Sequence, residues 1–146
     1  MTSRLPDSAV PDGLRTMLDG FDAAFRADRG ADVAAFFTHD ARLQWPEMED
    51  IVGREAIQRA FADFTTAVHT ISWQPSYQVV DVHGHRAYLL GRFVEVRQVR
   101  ETGEVERVPG RIVYFCRRES DGAWRIAHAM TSRYGETSIE GPDAAA

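Results

Sequence analysis

Three side chains in this 146-residue sequence could move or steady a proton near neutral pH: the phenol of Tyr114, the imidazole of His128 and the carboxyl of Asp22. A partly desolvated imidazole beside a phenol is a tunable acid and base, and a carboxylate can orient it. Two of the three fall in residues 111–134, RIVYFCRRESDGAWRIAHAMTSRY, which read as two strands joined by the polar turn Ser120-Asp121-Gly122. In the second strand Trp124, Ile126, His128, Met130 and Ser132 alternate with Arg125, Ala127, Ala129, Thr131 and Arg133. Strict period two therefore places the first set together on a buried face. With a three-residue loop, Gly110, Ile112, Tyr114 and Cys116 share that face and Tyr114 lies beside His128. A two-residue loop would turn the first strand over. A histidine among Trp124, Ile126 and Met130 is also what a hydrogen-bonded core residue looks like, and a tyrosine on a half-buried strand is common, so a packing role is the competing reading for both.

The scaffold that must hold these groups is bounded by composition. With 44% apolar and 27% charged residues the chain suits one globular domain, a size that buries about 70% of its unfolded surface. A net charge of −5, with arginines scattered among acids and no basic stripe, argues against nucleic acid. No apolar run approaches the roughly 20 residues of a membrane helix, and MTSRLPDSAVPDG lacks the apolar core of a signal peptide, so a cytoplasmic protein with no membrane partner is expected. The single cysteine, Cys116, excludes an internal disulfide and a thiolate metal cage, and inside an apolar strand it reads as a small buried hydrophobe. His83-Gly84-His85, with only Asp81 near in sequence, reads as a solvated hairpin tip rather than a metal pair. No Gly-rich phosphate loop, GxSxG elbow or HExxH occurs, and neither a metal nor a cofactor is expected.

Residues 1–10 read as a flexible arm, residues 11–134 as one domain and residues 135–146 as a disordered tail. Pro11-Asp12 opens a helix whose apolar stripe is Leu14, Met17, Leu18, Phe21, Ala24 and Phe25, with Asp22 on its flank and Arg29-Gly30 at its end. A shorter helix is expected from Ala31 to Phe37, ended by Thr38-His39-Asp40, then a brief strand from Ala41 to Trp45 stopped by Pro46. Gly53 starts a third helix burying Ile57, Ala60, Phe61 and Phe64, with Val68 as a possible extension. From Ile71 the period changes to that of strands, with turns at His83-Gly84-His85 and at Glu101 to Glu104. The charged run from Arg92 to Arg107 alternates in sign and reads as the wet face and turn of a hairpin. Helices first and a four-strand antiparallel meander after them make an α+β fold, a curved antiparallel sheet wrapped around three helices as a cone open at one end. Such a cone is a small-molecule site, and the lining expected here is Met17, Phe21, Phe25, Trp45, Phe61, Trp73, Ile112, Cys116 and Met130.

Three patterns, FFTHDARLQWP after the second helix, GREAIQRAF opening the third and DGAWRIAHAMTS on the last strand, resemble the NTF2-like superfamily, and the last of them its SnoaL-like subgroup. They span about Leu14 to Ser132. The resemblance implies the cone-shaped, cystatin-like roll shared by ketosteroid isomerases, SnoaL-type cyclases and scytalone dehydratase. It identifies a fold that hosts many activities. Ketosteroid isomerases carry a carboxylate base just before the proline after the first strand, and that place holds Trp45. Their first-helix tyrosine corresponds to about Phe21, and their protonated aspartate to the neighbourhood of Tyr114, which can still donate a hydrogen bond. Steroid isomerisation is thus not expected. The dehydratase pairing of an acid late in helix one with a histidine after helix three falls near Arg26 and Ser72, with Asp22, Asp28 and His69 a few residues away. The resemblance also implies a homodimer, through an outer sheet face expected to carry Val113, Phe115, Ala127 and Ala129.

Two functions fit. One is a cofactor-independent isomerase, cyclase or dehydratase acting on an apolar, carbonyl-bearing molecule through His128 and Tyr114, with Asp22 as orienting carboxylate. The other is a non-catalytic ligand-binding or association module of the same fold, which Trp45 in the base position favours.

Overall fold

The helical stripe read from the sequence is the one that packs: Leu14, Met17, Leu18, Phe21, Ala24 and Phe25 are all buried on one side of α1 (Asp12–Arg26). The computed structural model describes residues 10–140, and the expected arm at residues 1–9 and the end of the expected tail at residues 141–146 lie outside them. After α1 come α2 (Gly30–Val33), one 3-10 turn (Ala34–Phe36), β1 (Phe37–Gln44), β2 (Ile51–Val52) and α3 (Arg54–Ala67). Four long strands follow, β3 (Val68–His83), β4 (Arg86–Val99), β5 (Val105–Arg118) and β6 (Trp124–Arg133), and then β7 (Ser138–Glu140). No helix among the described residues is long and apolar enough to cross a membrane.

The strands form one curved, unclosed mixed sheet in the order β2-β1-β6-β5-β4-β3, with β7 paired to β5. Its concave side holds the core with α1 and α3. Gly53, at φ +92, supplies the left-handed turn that starts α3. Pro75 sits inside β3 opposite Phe93, where its missing N–H is tolerated because β3 ends the sheet. A Cβ at Gly110 would lie 2.1 Å from the Phe93 ring, so the bare backbone of β5 gives that ring its room.

Several expectations are corrected. The second helix is one turn plus a 3-10 turn, and Thr38-His39-Asp40 belongs to β1 rather than to a helix end. The reason is a partner invisible locally: β1 runs parallel to β6, pairing Leu43 with Ala129 and Gln44 with Met130. Val68 opens β3 instead of extending α3. Ser138–Glu140, assigned by composition to a tail, pairs with Val105–Arg107.

The largest correction concerns β6. Its register against β5 shifts between Phe115↔His128 and Cys116↔Ile126, leaving Ala127 as the surplus residue of a bulge. Parity therefore changes mid-strand: Trp124 and Ile126 are buried, but so is Ala129, while His128 and Met130 turn to the outer face. Tyr114 does face the core, yet it pairs with Ala129 and not with His128. Ala129, expected outside, is inside. The outer face carries Leu90, Phe115 and Met130, each roughly 40–50% exposed.

Candidate functional site

A cavity of about 640 Å³ lies between α1, α3 and the concave sheet. Five of the residues expected to line it do so: Phe21, Phe25, Trp45, Phe61 and Trp73. Three others, Met17, Ile112 and Cys116, are packed in the core around it, and Met130 is outside. Aromatic rings interlock in its walls. The Trp73 ring stands 4.9 Å from those of Phe25 and Phe93, and Trp45 meets Phe61 edge-on at 5.0 Å. Such contacts fix ring positions beyond simple area burial. Trp45 is thus wall, and the position before Pro46 contributes no carboxyl.

Asp22, Tyr77 and Tyr114 lie near one another. The Tyr114 ring, 2% exposed, sits on the cavity floor 6.0 Å from Phe21 and 6.2 Å from Tyr77. Burial pushes both phenols well above their ordinary pKa, so each stays protonated. The Tyr77 hydroxyl is buried with no hydrogen-bond partner. Asp22 Oδ1 accepts a 2.9 Å hydrogen bond from Trp73 Nε1. Burial raises the Asp22 carboxyl to about 6, against the lowering effect of that bond and of Arg26. Arg26 in turn donates to the Trp73 carbonyl from Nε and Nη2, at 3.1 and 2.9 Å. Side chain and backbone of Trp73 are therefore both held by α1. Asp22 does not open onto the main cavity; it faces a separate pocket of about 380 Å³ between α1 and the middle of β3. Burial also drives the Cys116 thiol up to about 12, which leaves it inert as a nucleophile.

His128 is far from all this. Its Nε2 donates to Gln44 Oε1 at 2.6 Å on the outer side of the sheet, and its ring stands 5.8 Å from Phe115. Asp28 and His69 do pair, through His69 Nδ1 and Asp28 Oδ2, but neither lines a cavity. Asp28, at φ +57 in the turn after α1, also takes the Thr70 N–H and Arg100 Nη2, at 2.9 and 3.1 Å, and so ties that turn to the sheet.

The polar group that does reach the cavity was read from the sequence as wet surface. On β4 the residues Ala87, Leu89, Gly91, Phe93, Glu95 and Arg97 share the inner side, and Glu95 is only 4% exposed. Its Oε1 accepts Arg97 Nη1 at 2.9 Å. Arg97 is held from the other side by Glu106 Oε2, which accepts Nε at 3.2 Å and Nη2 at 3.0 Å across the β4–β5 pair. Burial raises the Glu95 carboxyl, the Arg97 charge and hydrogen bond lower it, and the Glu106 charge raises it again. Parity could have found it. Counting by twos from the apolar Ala87 and Leu89 arrives at Glu95 without a break.

A family model for the SnoaL-like domain matches residues 9–130. The chain belongs to the SnoaL-like domain family. Its fold is that of the NTF2-like superfamily. A ketosteroid isomerase-like protein from Erwinia carotovora atroseptica superposes with a TM-score of 0.76 at 18% identity, over 84% of this chain and 94% of that one. A candidate scytalone dehydratase from Novosphingobium aromaticivorans gives 0.75 at 16% identity, over 86% and 84%. A Catenulispora acidiphila protein, solved in complex with S-DNPA, gives 0.67 at 14% identity, over 87% and 95%. None of the curated proteins matches the sequence. In this SnoaL-like domain the position before Pro46 holds Trp45, as expected from the sequence, and the buried carboxyl that lines the cavity comes from β4.

Proposed function

We propose that the cavity binds a small, mostly apolar molecule and that Glu95 moves a proton to or from it, in a cofactor-independent reaction of the isomerase, cyclase or dehydratase type. The observation that carries this reading is the Glu95 carboxyl, buried at the wall of an aromatic cavity with one oxygen held by Arg97. Desolvation makes a carboxylate a stronger base, and Arg97 keeps it ionised and aimed, so the group is poised rather than neutralised. A proton taken from a carbon beside a carbonyl leaves its electron pair on the carbonyl oxygen, which needs a donor. That oxygen is two bonds from the carbon that loses its proton, so the donor must stand beside Glu95, as the Arg97 guanidinium does; the Tyr114 phenol, about 20 Å along β5 from the Glu95 level, is too far to serve. The likeness to a ketosteroid isomerase-like protein and to a candidate scytalone dehydratase supports proton-transfer chemistry on this scaffold.

The test is exchange of the acidic C–H protons of bicyclic ketones such as 2-tetralone in D2O, followed by NMR. Acceleration by the wild-type protein and its loss in Glu95→Gln is the expected result; equal acceleration by both proteins would remove Glu95 from the chemistry. A binding module without turnover is the second reading, favoured by Trp45 where a base is otherwise found. It requires that ketones bind with no acceleration at all. We further propose a cytoplasmic homodimer joined through the outer sheet face around Phe115 and Met130, whose exposure is too apolar for a wet surface. Light scattering at micromolar concentration that returns the chain mass of 16.4 kDa would overturn the dimer.

A further inference from the structure

We propose that the ligand of this cavity is an apolar carboxylate, and that Arg59 and Arg133 hold its anionic group at the mouth while its body lies against the aromatic walls. The inference rests on the cavity reading above and adds the ligand's charge and orientation. Three arginines line the cavity, Arg59, Arg97 and Arg133. Arg97 is committed to Glu95 and Glu106. Among the described residues the side chains of Arg59 and Arg133 make no ion pair within 4.0 Å and no hydrogen bond; Arg86, Arg107 and Arg118 make none either, but they do not line the cavity. Arg59 comes from α3 and Arg133 from the far end of β6, so the cavity is where two unrelated elements present free guanidinium groups.

Arg133 reaches the mouth because of the β6 bulge. With Ala127 as surplus residue, Ala129, Thr131 and Arg133 follow one another on the concave side, and all three line the cavity. An unbroken strand would have turned Arg133 outward. Thr131 is the neighbouring inward residue on β6, and Asp63, one helical turn from Arg59, is an acidic lining residue on α3. Two cations against one carboxylate leave the rim positive, and the planar guanidinium fork suits a carboxylate in two-point contact. A carboxylate placed there would not meet the Glu95 charge directly: Arg133 pairs with Gly110 and Gly110 with Phe93, one inward-facing position short of Glu95 on β4.

The experiment compares two size-matched probes, 2-naphthylacetic acid and 2-naphthaleneethanol, by calorimetry at pH 7.5 and low ionic strength. The wild-type protein is expected to bind the acid about tenfold more tightly than the alcohol. In the double variant Arg59→Gln/Arg133→Gln that preference disappears while alcohol binding stays within twofold. Added salt at 0.5 M shrinks the wild-type preference as well, a readout that needs no variant. Equal binding of the two probes by the wild type, or a preference for the acid that survives both the double substitution and salt, overturns the anionic-ligand assignment and leaves the cavity reading intact. Failure of both probes to bind overturns the cavity reading and this proposal with it.

Discussion

Two buried carboxyls, Asp22 on α1 and Glu95 on β4, have the same physical perturbation and opposite prospects. Burial raises the pKa of each and a neighbouring arginine lowers it. Asp22, however, is stoppered: the Trp73 indole occupies Oδ1, and the ring of that same tryptophan separates it from the main cavity. Glu95 has Arg97 on one oxygen and the cavity before it. A shifted pKa marks burial, and access to a ligand decides whether the proton can be used.

The sharpest way to break this contrast is to remove each carboxylate. Glu95→Gln should lower proton exchange or turnover on the order of 10² to 10³-fold with ligand affinity within a few-fold, as expected for loss of a general base. Asp22→Asn should leave that rate within twofold, measured in the same NMR assay; an equal loss in both would erase the distinction between the two carboxyls.

Asp22→Asn should register in stability instead. The folded-state pKa of Asp22 is raised to about 6, so the native protein holds this proton more tightly than the unfolded chain. Its contribution is then favourable at low pH and is lost as pH rises from the unfolded value, near 4, through about 6. Above that the ionised carboxyl costs on the order of 3 kcal/mol, from the shift of roughly two pK units. Denaturant melts of the wild type and Asp22→Asn should therefore diverge between pH 4 and 7, the variant gaining on the wild type as pH rises. Parallel curves would show that Asp22 titrates normally.

Glu106→Gln sharpens the case for Glu95. Removing that charge takes away a pKa-raising influence on Glu95 and leaves Arg97 to Glu95 alone. The basic form then persists to lower pH, and the acid limb of the rate profile moves down. A limb that moves up, or stays, would detach Arg97 and Glu106 from the function of Glu95. The smallest effect belongs to His128→Gln, with activity unchanged and stability reduced by about 1 kcal/mol or less, since only the contact with Gln44 is at stake.

Much of the scaffold is legible locally. The stripe from Leu14 to Phe25, the Gly53 start of α3 and the inward set Gly110, Ile112, Tyr114 and Cys116 all follow from spacing, because a 3.6 or 2.0 period needs no distant partner to be seen. What was hidden depends on partners. β1 exists at its full length only because β6 lies parallel to it, a pairing that spans most of the chain. Glu95 and Arg97 looked wet because their charges alternate with apolar residues, yet the curl of the sheet closes over them. The bulge at Ala127 left no local mark: Ile-Ala-His-Ala alternates as a regular strand would, and period-two counting carried His128 to the wrong side.

That bulge can also be regarded as a movable defect. One residue too many must sit somewhere along β6, and hydrogen-bonded ladders differ little in how many bonds they keep as the surplus slides. Its present place divides the strand into two sets of residues, Ala129, Thr131 and Arg133 serving the cavity, His128 and Met130 serving the exterior. Were the surplus to migrate past Ser132, the two sets would trade places and an imidazole and a thioether would replace two small side chains at the ligand. The 2.6 Å contact between His128 and Gln44 belongs to the exterior set and accompanies the present register. The histidine that looked like a reagent thus falls on the exterior by count alone, and the cavity's chemistry is chosen by position along a ladder before it is chosen by residue type.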